Sequence, residues 1–163
     1  MKEQLNLLAA QYELVKGSRE VVFQFCEKFS PEEYTKEING IGRGSVRNLQ
    51  VHIAYTYIYW LAEFAMKQSP SFPPYDTYKD FKSAIRVYEN ADKVVYQFIE
   101  KFKENLGLMF SGTSSSTKKN ISVGALVLFT HVITHEFHHK GQIMSMGRML
   151  GYTPPDADII RLF

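Results

Sequence analysis

The sequence predicts an all-α fold, a four-helix bundle of up-down type. Three observations carry this reading. Four long segments repeat apolar residues at spacings of three, four and seven. Clusters of Gly, Pro and Ser separate those segments. No stretch competes as a strand, and no internal repeat is visible. The connections around residues 30–44 and 68–76 are longer than a minimal hairpin needs, so up-down order is expected without being forced.

The first segment, from about Lys2 to Phe29, carries Leu5, Leu8, Tyr12, Val15, Val22, Cys26 and Phe29 on one face. Ser30-Pro31-Glu32-Glu33 then reads as a helix start: a capping hydroxyl, proline at the first helical position and two acids facing the macrodipole. Only a short helix fits there, because the glycine-rich run Asn39 to Gly44 follows. Ser45 caps a second long helix to about Lys67, with Leu49, Ile53, Trp60 and Phe64 facing inward, and Ser69 to Pro74 ends it. A third helix starts near Asp76 or Thr77, with Phe81, Ile85, Tyr88, Val95, Ile99 and Phe102 inward. Asn105 to Asn120, with Gly107, Gly112 and a Ser/Thr run, reads as a loop. Ser122 is the expected cap of a fourth helix to about Leu150, Gly151 its carboxyl-terminal cap, and Pro154-Pro155 its stop. The tail from Asp156 to Phe163 is expected to add one last turn against the bundle.

Composition sets the outer limits. A chain of 163 residues that is 45% hydrophobic suits one domain, residues 1–163, and buries a core without disulfides or a structural metal. A net charge of +2 lacks the basic excess of nucleic-acid binders, and no clustered basic stripe supplies one. Cys26 stands alone, which excludes an intramolecular disulfide and fits a reducing compartment. Polar residues break up the first seventeen positions, and no run approaches the roughly 18 apolar residues of a membrane span, so a soluble cytoplasmic protein is expected.

The histidines are the oddity. Four of five fall within nine positions, His131, His135, His138 and His139. One stripe of the fourth helix reads Ala125, Leu128, Val132, His135, His139, Gln142, Met146, Met149, core-like at its ends and polar in the middle. A buried imidazole needs a hydrogen-bond partner, a water or a metal. Histidines four apart present nitrogens to one point, so His135/His139 is a ligand pair, and by spacing His131/His135 is an equally good one. His52, mid-way along the second helix, is the one histidine elsewhere and the candidate third ligand from a facing helix. Alone it would more often be a satisfied core histidine. Three imidazoles leave a coordination position open, as catalytic sites do, and they suit zinc or nickel, with iron and copper also compatible.

His135-Glu136-Phe137-His138-His139 also fits the zinc-peptidase pattern H-E-x-x-H. The context opposes it: Gln142 and Ser145 stand where a metzincin needs glycine and histidine, and no glutamate follows Glu136. Glu136 is the acid–base candidate, yet it lies about 100° around the helix from His135, so pointing to solvent or a neighbouring helix is the expectation. Gln142, one turn beyond His139, can bond substrate or orient a ligand, or be structural. Asn48 has the same two readings, with structural favoured. Cys26 reads as an inert buried thiol. Tyr55, Tyr57 and Tyr59 alternate and are not expected to form one aromatic box.

Asn48-Leu49-Gln50-Val51-His52-Ile53-Ala54 followed by Trp60-Leu61, His135 to Ile143, and Gly151-Tyr152-Thr153-Pro154-Pro155 with Asp158 after it together resemble the DinB/YfiT-like superfamily. The resemblance spans nearly the whole chain. It implies a four-helix bundle that binds a divalent metal through His52, His135 and His139, which decides against His131. Lys140 stands where the family commonly carries arginine. Thiol-dependent transferases and isomerases occur among its relatives. The implied function is a metal-dependent enzyme acting on a small-molecule substrate, with a low-molecular-weight thiol activated at the open position and neither nucleic acid nor membrane as partner. The alternatives are a non-catalytic metal-binding bundle working as a homodimer or partner module, and a hydrolase in which the metal activates water.

Overall fold

A computed structural model describes residues 6–163. The expected helix start at Lys2 and the stripe residue Leu5 lie outside the described residues. Helix α1 spans Leu7–Cys26 and is capped by the Asn6 side chain, which accepts from the Ala9 backbone N–H. Its buried face includes Leu8, Tyr12, Val15, Val22 and Cys26, the stripe read from the sequence. Ser30 and Glu33 form a reciprocal capping box at α2, Pro31–Thr35. Helix α3, Val46–Tyr57, starts at Ser45 as expected. It then widens into a π-helical segment, Ile58–Ala65, that sequence periodicity does not signal.

Four expectations need correction. Helix α4 runs Phe81–Phe102, not from Asp76 or Thr77. Asp80 and Ser83 cap each other's backbone there, while Tyr75–Thr77 makes only a 3₁₀ turn. The expected loop contains a β-hairpin, Met109–Thr113 (β1) paired antiparallel with Asn120–Gly124 (β2). Five-residue strands rich in Ser and Gly carry too few apolar positions for alternation to show. Ser122 accordingly lies in β2 opposite Ser111, with its hydroxyl 2.9 Å from that of Ser111. It does not cap helix α5, Ala125–Met149. The first α5 amides instead donate to backbone carbonyls, Ala125 to Leu108 and Leu126 to Leu106. Finally, Met149 is exposed, so the stripe's core character ends at Met146.

The fold is mostly helical, with α3 packed against α4 and α5, and α1 against α4 and α5. One polar network crosses the core between the four long helices. Arg19 of α1 donates to both carboxylate oxygens of Glu136 on α5, at 2.7 and 2.9 Å, and to Asp92 on α4 at 2.6 Å. Tyr57 of α3 donates to Glu136, and Tyr12 to Asp92. Burial pushes the Tyr57 phenol well up, so it remains a donor at neutral pH. Gly151, at φ +91°, ends α5, and the tail closes with a 3₁₀ turn, Ile159–Leu162, against α1. Leu162 seats so closely on Gly17 that a Cβ there would lie 2.7 Å from it. No helix of the described residues is long and apolar enough to cross a membrane.

Candidate metal centre

His52 stands near the middle of α3, and His135 and His139 lie one turn apart on α5. Packing of α3 on α5 brings the three imidazoles together. The His135 Nε2 atom lies 3.2 Å from His52 Nε2 and 3.1 Å from His139 Nε2. Of the two pairs that spacing allows, the one joined by His52 is therefore His135/His139. His131 stands apart: its ring centroid is 5.7 Å from that of His135, against the edge of Trp60. His138 is exposed beside His139.

The protons decide whether this trio fits a cation. His139 Nδ1 donates to the Gln142 side-chain oxygen at 2.7 Å, with the amide placed oxygen-inward. That leaves a lone pair on His139 Nε2. His135 Nε2 faces two neighbouring nitrogens and carries at most one proton while neutral, so hydrogen bonds cannot satisfy both contacts. A cation between the three nitrogens satisfies all of them. Ligands about 2.0–2.1 Å from a tetrahedral ion stand about 3.3 Å apart, close to the spacings seen here. Burial first, and neighbouring charge second, pulls His52 and His135 down to about 3, and burial likewise lowers His139. All three rings are thus neutral at pH 7, the form that binds metal. The residues fit a divalent metal.

Gln142, read from sequence as a substrate or orienting group, is the partner of a histidine, not a group on the cleft wall. Its own position depends on the glycine-rich loop. Gly42 has φ +49°, and a Cβ there would lie 2.7 Å from the Gln142 oxygen and 3.2 Å from Leu49. Asn48 holds the same loop by donating to the Arg43 carbonyl at 2.9 Å, a structural role. Glu136, the acid–base candidate, is 5% exposed and turned into the core. Both of its oxygens are engaged by Arg19 and Tyr57, so the H-E-x-x-H segment lacks a free base.

A cleft of about 600 Å³ opens onto His52 and His135. His131, Tyr55, Tyr59, Trp60 and Phe72 line it, with Arg43 on the loop and Ser114 to Thr117 at the hairpin tip. The Ser115 amide donates to the Tyr59 hydroxyl at 2.8 Å, fastening the tip to this wall. Tyr55 and Tyr59 share the cleft after all, one helical turn apart, while Tyr57 between them belongs to the core network. In the wider π turn, successive residues lie closer around the axis, and both Tyr59 and Trp60 reach the cleft. Sequence reasoning missed Arg43 and Gly42. The signal available was the run of glycines ending just before the helix that carries His52.

The fold and site together define a mostly helical protein with a three-histidine group able to hold a metal ion. The family model of the DinB family matches residues 1–162, and the chain belongs to that family. No curated protein matches it.

Proposed function

We propose that this protein is a metal-dependent enzyme built on a four-helix bundle, and that it transfers a low-molecular-weight thiol to a small-molecule acceptor. The observation that carries the reading is the open cleft ending on His52 and His135. Among the described residues the ligand group contains three histidines and no fourth member. A sealed core or a fourth protein ligand would have favoured a structural site.

His52, His135 and His139 would hold the ion, and Gln142 keeps the His139 lone pair turned toward it. A bound divalent ion supplies Lewis acidity, which makes a thiol more acidic near neutral pH. The chain's own residues do the rest. Tyr55, Tyr59, Trp60 and Phe72 give the substrate an aromatic wall beside the histidines. His131 stands on the cleft wall, where its imidazole can accept the proton that the thiol gives up. Glu136 has no part in this chemistry, because Arg19 and Tyr57 hold it. Zinc and nickel are the first candidates, and iron and copper are compatible with the same donors.

Elemental analysis of the native protein beside a His52→Ala/His139→Ala variant tests the site. Stoichiometric metal in the native protein and its loss in the variant are expected; unchanged metal in the variant would sink the proposal. A conjugation screen with metal-replete protein and a panel of small thiols tests the reaction. No turnover with any thiol leaves the non-catalytic bundle as the better reading.

A further inference from the structure

The cleft above the histidines is lopsided in charge. Arg43 is the one Arg or Lys on its wall, and no Asp or Glu lines it. Among the described residues Arg43 forms no ion pair, as Arg47, Arg86 and Arg148 also do not, and it alone of these four lines the cleft. Nor does its guanidinium donate any hydrogen bond; only its carbonyl is engaged, by Asn48. The backbone that presents it is nevertheless held. Gly42 and Gly44 take φ +49° and +84° on either side, Gly42 abuts Gln142, and the Gly44 amide donates to Ile41 at 3.1 Å. A fixed loop therefore carries an unmatched cation to the mouth of a cleft.

The remaining wall complements it. Phe72 meets the edge of Tyr55 with centroids 5.1 Å apart, and Trp60 meets Tyr59 at 4.9 Å. These rings offer flat apolar surface, and the tip residues Ser115, Ser116 and Thr117 add hydroxyls without adding charge. Aromatic walls favour a flat apolar body, and a lone guanidinium favours a carboxylate, which it can meet with two parallel hydrogen bonds. We propose that the acceptor substrate of this cleft is a small carboxylate-bearing molecule with a flat apolar body, its carboxylate paired with Arg43 and its body against Trp60 and Phe72. This names the substrate class of the site above and rests on that functional reading.

Calorimetric titration of the metal-loaded protein with cinnamate and with its neutral isostere cinnamamide tests the inference. Trp60 is the one tryptophan of the chain, so its indole N–H resonance reports cleft occupancy directly. Cinnamate is expected to bind about ten- to hundredfold more tightly than cinnamamide, the range of a hydrogen bond to a charged group, with both moving the Trp60 resonance. Arg43→Gln should abolish the preference with metal content unchanged, and Arg43→Lys should restore part of it. Equal affinities, no binding of either ligand, an unmoved Trp60 resonance, or a preference that survives Arg43→Gln would each overturn the proposal. Survival in Arg43→Gln with loss on metal removal would place the carboxylate on the ion instead. Failure of the thiol-transfer reading shows separately, as absent conjugation beside an intact carboxylate preference.

Discussion

Gln142 does its work through one proton. By accepting from His139 Nδ1 it keeps the opposite nitrogen free to bind. Gln142→Met should leave the helices intact and weaken metal binding by about 10–100-fold, the usual effect of losing such a partner, measured by competition with a chromophoric chelator. Gly42→Ala should weaken it in the same direction, since its Cβ would displace the Gln142 oxygen and sit on a backbone that disfavours side chains. Unchanged affinity in both variants would show that His139 needs no such support. Glu136 gives the opposite pattern. Glu136→Gln removes the charge that faces buried Arg19, and denaturation should show a loss of about 3–5 kcal/mol with metal stoichiometry unchanged. The sequence revealed that Glu136 is rotated away from the histidines. It did not reveal Arg19, because that partner lies 117 residues away and only the packing of α1 on α5 brings it near.

Some helix limits were legible through their capping side chains, but the Asp80 cap of α4 was passed over for Asp76 or Thr77, and the start of α5, set by backbone groups, was hidden. Ser30 and Ser45 announce α2 and α3 through capping hydroxyls, and both are used as read. Helix α5 has no side-chain cap, since Leu106 and Leu108 satisfy its first amides, and only the hairpin puts those carbonyls in place. The hairpin in turn is held by Phe110, buried against Phe98 and Phe102 of α4 at centroid separations of 6.3 and 5.0 Å. Phe110→Ala should cost about 3–5 kcal/mol in denaturant unfolding, as large-to-small changes at buried aromatics do. The first backbone amides of α5 should also exchange hydrogen faster. A loss below about 1 kcal/mol would mean that the hairpin rests on its own ladder. The aromatic cleft was hidden for a related reason: alternation suggests diverging tyrosines, but Tyr55 and Tyr59 are a turn apart and the π segment adds Trp60 beside them.

Across the whole molecule, the three clustered histidines were the most legible part of the candidate site: spacing left two pairs, His131/His135 and His135/His139, and the resemblance to the DinB/YfiT-like superfamily chose the one that stands with His52. The charged network and Arg43 were not, since neither follows from local spacing. The buried neutral histidines also make a pH prediction for the metal-free protein. His52 and His135 titrate near 3 when folded and near 6.5 when unfolded, so between those values the unfolded chain binds more protons. Their contribution is fully present above about pH 6.5 and is lost as pH falls toward 3. Chelated protein should therefore show a falling melting temperature through that window, and a flat profile from pH 7 to 4 would contradict the burial seen here.

His52 and His135 are 83 positions apart in the chain. A cation shared between them would act as a reversible cross-link closing a loop of that length, comparable in topology to a disulfide in a protein whose single cysteine can make none. Of the three clustered histidines α3 supplies one and α5 two, so this group assembles only after the two helices have met. Ion release would then depend on how often α3 and α5 part, and the lifetime of the loaded state becomes a reading of the fold's breathing.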